Sequence, residues 1–104
     1  MNNIISTTTH VYSEVPIHEC LKTLKKIGYT GVEIWYDAFL KQLNKDLTSI
    51  EKINKAIKET KIKPIVHCPL RNKDFKYNIC SKDTNIREIS IKANLDAIRF
   101  CKDI

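Results

Sequence analysis

The hydrophobic period of this chain changes several times, and each change marks a predicted element. Ile4-Ile5-Ser6-Thr7-Thr8-Thr9 is β-branched almost throughout and reads as a short strand. From Pro16 the apolar positions become Ile17, Leu21, Leu24 and Ile27, one face of a helix whose first turn suits Pro16. Gly28 predicts a left-handed cap at its end, with Tyr29 packing back on the last turn. Gly31-Val32-Glu33-Ile34-Trp35 predicts a second strand, and residues 36–47 a polar connection. Thr48-Ser49-Ile50-Glu51 reads as a capping box, in which Thr48 and Glu51 satisfy the early amides of a helix that buries Ile50, Ile53, Ala56 and Ile57. Ile62-Lys63-Pro64-Ile65-Val66-His67 is the third strand, ended by Cys68-Pro69. A long loop then reaches Asn85-Ile86-Arg87-Glu88, another cap-like start. The final helix carries Ile86, Ile89, Ala93, Ala97 and Phe100, flanked by Ile91, Leu95 and Ile98, and so wide an apolar surface predicts cover on more than one side.

The predicted order is βαβαβα, an α/β fold with parallel strands joined by helical crossovers. The loops at 10–15, 36–47 and 68–84 then lie on one face, where such folds place their chemistry. A chain of 104 residues makes one domain at most, with a modest core. The last helix runs to Asp103-Ile104 with no glycine cap and no strand after it, and three parallel strands leave two open edges. The expectation is therefore a truncated fold, the opening portion of something larger.

Composition changes this picture little. Apolar residues at 42% and charged residues at 29% suit a soluble globular protein. No apolar stretch approaches the roughly 20 residues that span a bilayer. Met1-Asn2-Asn3-Ile4 lacks the basic and apolar regions of a signal peptide, so a cytoplasmic chain with no membrane partner is expected. In that setting Cys20, Cys68, Cys80 and Cys101, widely spaced and without a C-x-x-C pair, are reduced thiols. A zinc site built from His67, Cys68 and Cys80 would need adjacent ligands, which fit a tetrahedron poorly. The net charge of +6 comes mainly from lysines such as Lys22, Lys25 and Lys26, or Lys52, Lys55 and Lys58, which read as solvated helix faces. With arginine only at Arg71, Arg87 and Arg99 and no basic stripe, a nucleic-acid partner is not expected.

The candidate chemistry lies in strands two and three. Alternation along a strand puts Val32 and Ile34 toward the helices and Glu33 and Trp35 on the opposite side. A carboxylate there needs a cation, a metal or a donor, because burying it unpaired is costly; an internal ion pair and direct contact with substrate or metal are both open. Ile65 and His67 share a face by the same parity, so Glu33 and His67 point into one cavity from neighbouring strands. His67 is either a ligand for a divalent metal or an acid–base imidazole held in one tautomer. His10 follows strand one and joins the same mouth as a substrate-binding candidate, whereas His18 is expected on the surface of the first helix. Trp35 and Tyr36 either stack on a sugar ring or pack internally, and Asp37 either caps its loop or binds a substrate hydroxyl. With two glycines in the chain there is no phosphate-cradling glycine loop, and no nucleophilic triad is apparent.

Three stretches resemble the xylose isomerase-like TIM barrel superfamily, which includes sugar-phosphate isomerases/epimerases and apurinic-site endonucleases. They are Leu24-Lys25-Lys26-Ile27-Gly28-Tyr29-Thr30-Gly31-Val32-Glu33-Ile34; Val66-His67-Cys68-Pro69; and Asn78-Ile79-Cys80-Ser81 with Asn85-Ile86-Arg87-Glu88-Ile89-Ser90. The resemblance implies that residues 1–104 form three βα units of a parallel (β/α)8 barrel, its N-terminal part. It implies a divalent metal (Mn, Mg or Zn) in the complete fold, with His67 as a ligand, Glu33 at the family's strand-two glutamate, and a small sugar or sugar phosphate as substrate. The epimerase branch takes its core ligands, two glutamates, an aspartate and a histidine, from later strands. This chain alone is then expected to be inactive and to hold no complete metal site. A second reading is a fragment of an apurinic-site endonuclease acting on DNA, weakened because that branch tends to place a tyrosine where this chain has Leu70. A third reading is a non-catalytic remnant or split-gene half that self-associates, or recruits a partner chain, through its open sheet edges.

Overall fold

The computed structural model describes residues 4–9 and 14–104. Its elements, in chain order, are β1 (Ser6–Thr8), α1 (Ile17–Ile27), β2 (Gly31–Trp35), α2 (Tyr36–Asn44), α3 (Ile50–Thr60), β3 (Lys63–His67) and α4 (Thr84–Asp103). The strands form one parallel sheet in the order β1-β2-β3, with Thr8 opposite Glu33, Glu33 opposite Ile65, and Trp35 opposite His67. The expected parallel α/β architecture is present. One helix more than expected interrupts its second crossover.

The helices form where local chemistry favours them. Gly28, at φ 111°, ends α1, and the amide of Tyr29 bonds back to the carbonyl of Leu24 at 3.0 Å, which closes a Schellman motif. Tyr29 packs against the core, as its position after the glycine implies. At the start of α3 the capping residue is Ser49, whose hydroxyl accepts from the amide of Lys52, and not Thr48. Thr48 is buried instead, its hydroxyl 2.9 Å from Nδ1 of His18. His18 is correspondingly half-buried between α1 and this turn, not a free surface residue. Asp83 caps α4 through the amides of Asn85 and Ile86.

The segment read as a polar connection contains α2. Its inward positions are Phe39 and Gln42, while Leu40 and Leu43 are exposed. Gln42 accepts from the amide of Ile17 at 2.8 Å and donates to the carbonyl of Val15 at 2.8 Å. It thus satisfies one of the unpaired amides at the start of α1. A glutamine at a core position hides the helical period from a hydrophobicity count.

One face of the sheet carries Val32 and Ile34, both buried, against Ile17, Leu21 and Leu24 of α1 and Ile53 and Ala56 of α3. α1 packs on α3, and α3 on α4. Phe100 of α4 stacks on Phe39 at 4.2 Å and meets Tyr36 at 5.5 Å, so Tyr36 is a packing residue. The other face carries no helix among the described residues. α4 departs from expectation here: Ala97 and Phe100 are buried, but Ile91, Leu95 and Ile98 are exposed, so the helix is covered on one side only.

Candidate functional site

Strand parity and register build the site. β2 presents Glu33 and Trp35 to the sheet face away from the helices, and β3 presents Ile65 and His67 beside them. The parallel register sets Trp35 across from His67, and Glu33 one step below, across from Ile65. Strand spacing and rise separate the Cα positions of Glu33 and His67 by roughly 8 Å. Trp35 and His67 are the last residues of their strands, the end where parallel α/β folds carry function.

Trp35 joins the two candidate groups. Its indole stacks on the imidazole of His67, with centroids 4.3 Å apart and planes 7° from parallel. Its Nε1–H donates to Oε1 of Glu33 at 2.9 Å. Glu33 therefore finds its donor in an indole, and no described cation pairs with it. Nδ1 of His67 lies 2.7 Å from the carbonyl oxygen of Cys68. A carbonyl only accepts, so Nδ1 carries the proton and Nε2 presents a lone pair, the tautomer suited to metal ligation or proton acceptance. Packing on one side and a hydrogen bond on the other fix the ring.

The remaining expectations divide. His10 lies outside the described residues. Asp37, in the first turn of α2, accepts from the amide of Leu70 at 3.2 Å and ties the loop after β3 to the helix after β2. Cys68, Cys80 and Cys101 are exposed free thiols, and burial pushes the thiol of the fourth, Cys20, up. Among the described residues no three His, Cys, Asp or Glu side chains cluster as a metal site. Nε2 of His67 and the second oxygen of Glu33 are donors of the right type for a divalent cation. They amount to one edge of a coordination shell, which takes at least three protein ligands in most catalytic sites. No helix among the described residues is long and apolar enough to cross a membrane.

Sequence reasoning placed Glu33 and His67 on one face but did not reveal that Trp35 lies between them. The signal was available in the i, i+2 spacing of Glu33 and Trp35, which puts an indole donor within reach of a carboxylate on the same side of a strand. Compared with known proteins, residues 21–104 match the family described as xylose isomerase-like TIM barrel. No curated protein and no solved structure matches the chain.

Proposed function

The chain belongs to the xylose isomerase-like TIM barrel family, and from that premise we propose that its open sheet face is part of the active site of a metal-dependent sugar or sugar-phosphate isomerase/epimerase. The observation that carries this reading is the Glu33–Trp35–His67 chain, a carboxylate and an imidazole with a free Nε2 held on one face by a shared indole. His67 through Nε2 would hold the metal, together with ligands from further strands, which leaves the second oxygen of Glu33 for the proton. A divalent metal bound there supplies polarisation of a carbonyl or hydroxyl oxygen. Glu33 would accept and return the proton at the adjacent carbon, the part of the reaction that a positioned carboxylate performs. Trp35 would orient both groups.

The first test is metal affinity. In a barrel reconstituted with the further strands, manganese should perturb His67 and Glu33, and His67→Ala should weaken binding by about 10- to 100-fold. Unchanged affinity in that variant would remove His67 from the ligand set.

A closed barrel of this kind has eight strands, and β3 has no strand partner on its outer side among the described residues. The exposed stripe Ile91, Leu95 and Ile98 lies on α4, which packs beside that same edge. Each of α1 and α3 is covered by the helix that follows along the sheet, and α4 offers the next position in the series. We assign that position to a further βα unit, a strand parallel to β3 with a helix on α4, and make activity depend on it. Epimerisation of a keto-sugar by the monomeric chain with added manganese would overturn this dependence.

A further inference from the structure

Between α2 and the loop joining β3 to α4 lies a cleft of about 650 Å³. Lys41 lines it from α2, Arg71, Asn72 and Lys73 from the loop, and Asp37 and Asp96 complete its polar wall. The carboxylates are already engaged. Asp96 pairs with Lys92 at 3.0 Å and with Arg99 at 3.1 Å, and Asp37 accepts the amide of Leu70. Against the charge of Asp37, the cleft presents three cations, Lys41, Arg71 and Lys73, that form no ion pair among the described residues.

Its loop wall is a built structure. Arg71 and Lys76 form an antiparallel bridge, the amide of Tyr77 bonds the carbonyl of Leu70 at 2.9 Å, and the side-chain oxygen of Asn72 receives the amides of Asp74 and Phe75, each at 2.8 Å. Arg71 spends its Nε on the carbonyl of Asn72 at 3.3 Å, which leaves the terminal nitrogens of the guanidinium for a ligand. The cleft adjoins the candidate site through the chain itself, because Tyr36 and Asp37 directly follow Trp35, and Pro69 follows His67 by two residues.

We propose that this cleft binds the phosphate of a phosphorylated small molecule, with Lys41, Arg71 and Lys73 as its anion-binding residues. A phosphomonoester carries a charge near −2 and three acceptor oxygens. An arginine fork and two ammonium groups supply the donor types that such a group takes. The volume suits a small ligand. A nucleic acid would call for a longer basic track with stacking surfaces. The lysines of α1 and α3 instead alternate with Glu19, Glu51 and Glu59. The proposal rests on the isomerase reading only in taking the rest of the ligand to be a sugar. The phosphate end would then fix which carbon reaches Glu33.

The experiment is a metal-free NMR titration of the chain with inorganic phosphate, fructose 6-phosphate, fructose and a short single-stranded DNA. Phosphate and fructose 6-phosphate should shift the amides around Lys41 and Arg71 saturably, and fructose should not. Lys41→Met with Lys73→Met should weaken both by at least about 10-fold. Because all three cations are exposed, these substitutions leave the core intact, and an unchanged far-UV spectrum checks that. His67→Ala should leave phosphate binding unchanged, so loss of the metal reading and loss of this one are separately visible. No saturation below about 20 mM, a regime where affinity is too weak to order a site, would overturn the proposal. So would fructose binding as tightly as its phosphate, or variants that bind phosphate as well as the native chain. DNA binding tighter than fructose 6-phosphate, with a steep salt dependence, would overturn it in favour of a nucleic-acid surface.

Discussion

His18 illustrates how much a single side chain depends on its surroundings. Its Nδ1 meets the buried hydroxyl of Thr48, and burial lowers its pKa from the ordinary 6.5; the nearby carboxylate of Glu19 opposes the shift, and Lys52 and Lys22 reinforce it. Burial outweighs the 3.6 Å approach of Glu19 because that carboxylate is itself half in water. The folded chain thus prefers the neutral ring, and below pH 6.5 the unfolded chain binds more protons than the folded one. Stability from this residue is complete above that pH and is lost as pH falls through the lower, folded value. Urea midpoints measured between pH 7.5 and 5.5 should fall for the native chain, and fall less for His18→Gln. At the candidate site, Trp35 sets both partners at once. Trp35→Phe should keep the stacking on His67 but release Glu33, lowering turnover of the completed barrel by a factor of a few while metal affinity holds, as loss of a supporting hydrogen bond does.

Among the elements, α2 determines how the first two βα units are joined. Gln42 closes the start of α1 with two 2.8 Å hydrogen bonds from a nearly fully buried position. Asp37, at the other end of α2, holds the loop after β3. Gln42→Leu keeps the volume but leaves the Ile17 amide without a partner, a loss of about 1–3 kcal/mol, read as a lower urea midpoint with an unchanged slope. This helix was not legible in the sequence because its apolar Leu40 and Leu43 face outward and its polar Gln42 faces inward. The capping residue before α3 was displaced by one position for a related reason. Thr48 and Ser49 are equally good caps by type, and only the presence of His18 draws Thr48 inward.

The molecule as a whole is wider than its length requires. Its radius of gyration is 14.7 Å and its extents are 45 × 35 × 23 Å, against about 13 Å for a compact domain of this size. Among the described residues no helix covers one face of the sheet, where Ile65 is 61% exposed, and the outer stripe of α4 is exposed as well, with Ile98 at 60%. Exposed apolar strand and helix surfaces of this kind favour association. Without a further βα unit to cover them, copies of the chain should shield one another. The sedimentation coefficient should rise with concentration for the native chain, while Leu95→Glu with Ile98→Glu should stay constant, with little change in unfolding midpoint because neither residue is in the core.

The sequence by itself determined the three strands, the parity that puts Glu33, Trp35 and His67 on one side, the Schellman end of α1 and the parallel α/β class. These follow from periods of two and 3.6 and from a glycine with positive φ, all local properties. Tertiary structure decided the rest. It set Trp35 and not Glu33 across from His67, because register depends on how two separate strands align. It turned a polar connection into α2, because a buried amide contact 25 residues away rewards a glutamine. It also left one side of α4 bare, because amphipathicity shows which residues can be buried but not whether anything lies against them.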